Sequence, residues 1–134
     1  MSTIVIHAGG GCAGPVGGDE AAIRAAAGKI KLQLLPPIKT GQISAATFNI
    51  RHPMYTGLQR NRSTGRNEPA FFINRAEFSY NDKPVMQVDF GLGTAEDPYL
   101  RFFYLADTPG DLVVKAGDNE GHMYTHHEPI APAP

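Results

Sequence analysis

Asn74-Arg75-Ala76-Glu77-Phe78-Ser79-Tyr80, the pair Asn81-Asp82, and Val85-Met86-Gln87-Val88-Asp89-Phe90 form the stretch on which the fold turns. Successive side chains of an extended chain point to opposite faces. Ala76, Phe78 and Tyr80 therefore share one face, and Arg75, Glu77 and Ser79 share the other. After the turn at Asn81-Asp82, Met86, Val88 and Phe90 oppose Gln87 and Asp89. A period of two on both sides of a short polar turn predicts a hairpin with one buried face. Outward from it, strands are predicted at Ile30–Leu35, Ile43–Arg51, Tyr99–Leu105, Leu112–Lys115 and Met123–His127. Pro36-Pro37, Asp107-Thr108-Pro109-Gly110 and Asp118-Asn119-Glu120-Gly121 punctuate them. About seven short strands in roughly a hundred residues, with no helix between them, make an all-β protein built as an antiparallel sandwich.

The rest of the composition narrows the function classes. With 134 residues the chain has room for one domain with a real core, not two. A net charge of -1 supplies no field for nucleic acid or an anionic membrane. Arg60, Arg62 and Arg66 lie among Gly, Ser and Thr and read as a solvated loop rather than a phosphate site. No segment is apolar enough to span a membrane, and no basic start followed by an apolar run marks a signal peptide. One cysteine excludes an internal disulfide framework.

That cysteine, Cys12, stands within His7-Ala8-Gly9-Gly10-Gly11-Cys12-Ala13-Gly14, after the β-type run Thr3-Ile4-Val5-Ile6. Glycines give it no packing neighbours and let the backbone approach another surface closely. A short helix is predicted over residues 19–28, with Asp19 capping its first amides and Gly28 taking the left-handed turn that ends it. Gly9 to Gly14 formally satisfies a dinucleotide-binding glycine pattern, yet no helix opens at the third glycine and no second βαβ unit follows. Catalysis by Cys12 would need a rigidly oriented base, which a glycine tract does not hold. Two readings stay open from spacing alone: a carrier thiol, or an inert residue in a flexible leader. His122, His126 and His127 invite a metal, but on a strand His122 and His126 lie about 13 Å apart, and His126 and His127 face opposite ways. Exposed histidines are the expectation, with no metal and no cofactor. Glu96 and Asp97, before Pro98, belong to a turn.

Three further stretches stand out: Arg51-His52-Pro53-Met54-Tyr55-Thr56-Gly57, Phe72-Ile73-Asn74-Arg75-Ala76-Glu77-Phe78 and Asp97-Pro98-Tyr99-Leu100-Arg101-Phe102-Phe103-Tyr104. On them the β region, over about residues 29–130, resembles SoxZ, a subunit of the SoxYZ carrier of periplasmic thiosulfate oxidation. This resemblance implies an immunoglobulin-like sandwich pairing with a SoxY-like subunit, or a homodimer in its absence, and docking sulfur-oxidising periplasmic enzymes. Residues 1–28 resemble the end of SoxY, whose glycine-flanked cysteine binds the sulfur intermediate. By that likeness Cys12 is the covalent carrier, and Gly9, Gly10, Gly11 and Gly14 give it reach. Here Ala13 replaces a glycine, Pro15 stiffens the exit and Cys12 is internal, so such an arm would enter an enzyme as a loop. His52, Pro53 and Met54 carry two readings, a structural strand end forced by the proline and a corner of the partner interface. The expected protein is a non-enzymatic, periplasmic carrier or scaffold. The alternatives are an interaction module with an inert N-terminal linker, or a SoxYZ-like carrier associated with a quinoprotein dehydrogenase. Residues 131–134 are expected to be a loose tail.

Overall fold

The computed structural model describes residues 2–6 and 20–134. Strand β1 (Ser2–Ile6) and helix α1 (Glu20–Ala26) precede β2 (Ile30–Leu35), β3 (Ile43–Ile50), β4 (Ile73–Tyr80), β5 (Lys83–Phe90), β6 (Tyr99–Leu105), β7 (Gly110–Asp118) and β8 (Met123–Ile130). One sheet has the order β1-β5-β4-β7-β8 and the other β2-β3-β6. Strands β2 to β8 pair antiparallel throughout, and β1 joins the edge of β5 in parallel.

The β4–β5 hairpin follows its sequence pattern. Asn81 and Asp82 both have positive φ, 49° and 64°, the backbone twist that a two-residue hairpin turn demands. Ala76, Phe78, Tyr80, Met86, Val88 and Phe90 are all buried, while Arg75 and Glu77 are exposed. The register shifts between Phe78 and Ser79, so β5 carries a bulge at Val85, beside the donor-less Pro84. Opposite this hairpin, the inward residues of β3 and β6 close the core. Phe48 meets Phe78 edge-on at 5.3 Å, and Phe102 meets it at 4.6 Å. Burying a side chain of this size contributes about 2 kcal/mol, so this aromatic seam joins the two layers.

Differences from expectation lie at the ends. Strands β7 and β8 run beyond Leu112–Lys115 and Met123–His127 because antiparallel pairing continues from Gly110↔Ile130 to Gly117↔Met123. The helix is shorter than residues 19–28, Asp19 lies outside the described residues, and Gly28 takes φ 96° beyond its end. The tail expected to be loose is instead tied down. Ala133 donates its amide to Ile38 and accepts from Thr40, forming a parallel bridge with Lys39. Arg60, Arg62 and Arg66 are exposed on a loop shaped by Asn61, whose Oδ1 accepts the Ser63 amide at 2.8 Å. Among the described residues, no helix is long and apolar enough to cross a membrane.

Candidate functional site

Cys12, Gly9, Gly10, Gly11 and Gly14 lie outside the described residues, but both roots of their segment are described. On one side, Ile6 pairs with Phe90, the last residue of β5. On the other, Glu20 Oε2 accepts the Tyr55 hydroxyl at 2.6 Å, and Tyr55 bridges Phe71 just before β4 begins. The end of β5 and the start of β4 are neighbours in an antiparallel pair. Ile6 and Glu20 therefore lie at the same pole of the sandwich.

Helix α1 has no buried residue and is too short to stand alone. Its hold comes from its polar side chains. The Arg24 guanidinium lies 4.8 Å from the Phe71 ring centroid and 5.9 Å from that of Tyr55. Glu68 and Glu120 flank it at 3.7 and 3.6 Å. After the helix, the Gly28 amide donates to the Arg51 carbonyl at 2.7 Å. A Cβ on Gly28 would fall 2.2 Å from the Tyr124 ring, so this turn requires glycine for space as well as for φ.

Beneath Phe71 lies the His52-Pro53-Met54 corner. His52 is 1% exposed, its ring 4.2 Å from that of Phe71. Its backbone amide donates to Asp97 Oδ1 at 2.9 Å, and its carbonyl accepts the Asp97 amide at 2.9 Å. Two of the sequence motifs thus clamp each other. His52 Nδ1 accepts the Met54 amide at 3.1 Å, which puts the proton of a neutral ring on Nε2. Nε2 has no hydrogen-bond partner and lies 4.0 Å from Asp118 Oδ2. Burial, the largest influence, holds the His52 pKa down at about 4, against the upward pull of Asp118. Met54 is buried too, at φ 54°, and its Sδ accepts the Ile73 amide at 3.2 Å.

Of the two readings of this corner, burial in this chain accords with the structural one. His52 and Met54 are inside, and only Pro53 is half-exposed. Their role in the described chain is to build the floor on which α1 rests.

Asp118 is the charged centre of that floor. Its side chain is fully buried, yet it accepts the Tyr124 hydroxyl at 2.6 Å, His122 Nδ1 at 2.9 Å, and the amides of Glu120 and His122 at 2.9 Å each. Burial alone would raise its pKa. The hydrogen bonds from Tyr124, His122 and Glu120 outweigh that and hold the carboxyl below its ordinary value. Tyr124 is pushed up in turn, by burial first and then by this carboxylate. The sequence alone places Asp118 in a turn and gives Arg24, Tyr55, Phe71 and Tyr124 no role. Gly28, at the helix end, is the visible hint that something packs closely there. Of the histidines, His122 is exposed, its ring stacked on Tyr124 at 6.1 Å, and His126 sits 3.3 Å from Glu128. Among the described residues, no three His, Cys, Asp or Glu side chains gather as a metal ion requires.

Two packed sheets, antiparallel apart from β1, closed over an aromatic seam define an immunoglobulin-like β-sandwich. Superoxide reductase (neelaredoxin) from Ignicoccus hospitalis shares this fold. One point variant of that protein superposes with a TM-score of 0.61 at 18% identity, over 84% of this chain and 86% of that one. A second variant gives 0.59 at 20% identity, over 88% and 94%. At such identities the likeness is one of fold. No curated protein matches the chain. The family model of sulphur oxidation protein SoxZ matches residues 34–129, and the chain belongs to that family.

Proposed function

We propose that the protein is a non-catalytic carrier subunit of a SoxYZ-like system for oxidising thiosulfate or a related sulfur compound, working in the periplasm with a SoxY-like partner. The SoxZ match across the sandwich carries this reading. In it, residues 1–28 act as a SoxY-like arm, and Cys12 is the covalent attachment point. Loading joins Cys12 Sγ, as thiolate, to the sulfane sulfur of thiosulfate. One S–S bond forms, no proton remains, and two electrons pass to the redox centre of the oxidising enzyme. The described residues on either side of the Cys12 segment, Ile6 and Glu20, meet the same pole of the sandwich, which supports one attachment segment there.

The test is intact mass with and without reductant, on protein isolated from its native cells. A reductant-sensitive addition that maps to Cys12 and disappears in Cys12→Ser is expected. An addition retained by the variant, or an unmodified wild-type chain, overturns the carrier role of Cys12.

A further inference from the structure

Phe71 touches a fixed cation and an ionisable ring at once. The Arg24 guanidinium lies 4.8 Å from its ring centroid, and the His52 ring lies 4.2 Å from the same centroid. A proton on His52 would put a second positive charge within a Debye length, roughly 10 Å, of Arg24. Both cations would then draw on one aromatic ring. Water gives His52 no relief, because its side chain is fully buried. Nδ1 is committed to the Met54 amide, and Nε2 has no hydrogen-bond partner. The charged groups around it divide. Asp118, at the end of β7, lies 4.0 Å from Nε2 and favours the proton, as does Asp97 before β6. Arg24 on α1 and His122 before β8 oppose it. Tyr124 of β8 faces the imidazole edge-on at 6.3 Å, its hydroxyl given to Asp118. Asp118 is a poor counter-ion for a new cation, since its Oδ2 already accepts from Tyr124 and His122. Beyond Arg24 lie Glu68 and Glu120, at 3.7 and 3.6 Å.

The element that can yield is α1. It buries no residue, and it is held by Arg24 on Phe71 and Tyr55, by the Glu20–Tyr55 bond, and by the Gly28 amide on the carbonyl of Arg51, next to His52. The seam that joins the sheets, Phe48, Phe78 and Phe102, makes its ring contacts elsewhere. We propose that the Arg24–Phe71–His52 stack is an acid-sensitive latch, in which protonation of His52 detaches α1 while the two sheets stay packed. The direction follows from linkage. With α1 seated, burial holds the His52 pKa at about 4, and Arg24 adds to that against Asp118 and Asp97. With α1 away, Arg24 and part of the cover leave, and the pKa moves back toward 6.5. The seated state is therefore fully favoured above 6.5 and loses ground as pH falls toward 4, by at most about tenfold per pH unit for one proton. This inference stands whether or not Cys12 carries cargo.

The experiment follows amide exchange of the full chain by NMR between roughly pH 7 and pH 4.5, as protection factors, with and without low urea. His52 is titrated in parallel through its ring Cε1–H signal. Protection across residues 20–26 is expected to fall roughly 10-fold over this range, with little dependence on urea. The amides of β4 and β7 are expected to stay slower at every pH and to respond steeply to urea, as exchange through unfolding requires. Arg24→Gln is expected to make His52 titrate at a higher pH and to leave α1 poorly protected throughout. His52→Asn, which keeps an acceptor for the Met54 amide, is expected to hold α1 protected down to the acid end. Protection of α1 that ignores pH in the wild type overturns the latch. So does α1 exchange that matches β4 and β7 in rate and urea dependence, which assigns the acid response to unfolding of the whole sandwich. An unchanged His52 titration in folded Arg24→Gln also overturns it, even where His52→Asn fails to fold.

Discussion

Tyr124 donates its hydroxyl to Asp118 Oδ2 at 2.6 Å, while its ring closes over the position where Gly28 carries no Cβ. One side chain thus joins the buried carboxylate of the sandwich to the turn that ends α1. A buried carboxylate is tolerated only when its lone pairs are filled, and here four donors fill them.

Tyr124→Phe keeps the ring against Gly28 and removes only the hydroxyl. Because the acceptor is an ionised, buried group, the expected loss is about 1.5–3 kcal/mol of unfolding free energy in urea denaturation. Asp118→Asn is expected to cost at least as much, since an amide nitrogen would face donors. A Tyr124→Phe chain as stable as the wild type would mean that Asp118 does not depend on this bond.

Stability is expected to depend on pH through His52. Folding lowers its pKa from 6.5 to about 4. Between those values the unfolded chain binds a proton that the folded chain refuses, so stability is full above 6.5 and falls as pH drops toward 4. The loss is of order 3 kcal/mol, or roughly 10 °C in Tm. Asp118 adds a second loss lower down, because its depressed pKa makes its contribution vanish as the carboxylate protonates in the folded state. His52→Asn, whose Oδ1 can accept the Met54 amide in place of Nδ1, is expected to flatten the upper window and leave the lower one. An unchanged slope in this variant would assign the pH dependence elsewhere.

Gly28→Ala is expected to be the most damaging single methyl at this pole. It places a Cβ 2.2 Å from the Tyr124 ring and forces φ 96° on a residue that disfavours it. A cost of about 2–4 kcal/mol follows, with Tyr124 or the helix displaced. Gly121→Ala is the matched control: its φ is 88°, but nothing lies within 4 Å of the added carbon. It is expected to cost only the backbone term of about 1 kcal/mol. Equal thermal shifts for the two would remove the steric part of the argument.

What could be read from the chain was what depends on local period. The β4–β5 hairpin follows from alternation and a two-residue turn, and both the strand run Tyr99–Leu105 and the run Ile30–Leu35 appear in the structure with those bounds. The parallel seat of β1 was hidden, because a five-residue apolar run states neither its neighbour nor its direction. The site was hidden for a similar reason. Asp118 lies beyond the predicted run Leu112–Lys115 and precedes Asn119-Glu120-Gly121, so in sequence it carries every mark of a solvated turn. Only the packing of Tyr124, His122 and His52 around it makes it a buried anion. Pro53 did announce a strand end, but nothing in His52-Pro53-Met54 says which way its side chains point.

The mooring of α1 makes a prediction separable from global stability. Arg24 rests on the faces of Phe71 and Tyr55 and is flanked by Glu68 and Glu120 without a close hydrogen bond to either. Part-exposed ion pairs at such distances contribute little, whereas a guanidinium over aromatic faces contributes about 0.5–2 kcal/mol. Arg24→Ala is therefore expected to speed amide exchange across residues 20–26 by roughly 3- to 30-fold, with the strand amides of β4 and β7 unchanged. Arg24→Lys keeps the charge but not the planar group, and is expected to restore only part of the protection. Tyr55→Phe removes the bond to Glu20 and should loosen the same segment by a second route. If exchange in the helix is untouched by all three changes, α1 is held by something other than this corner. If β4 and β7 loosen along with it, the corner is a core element rather than a mooring.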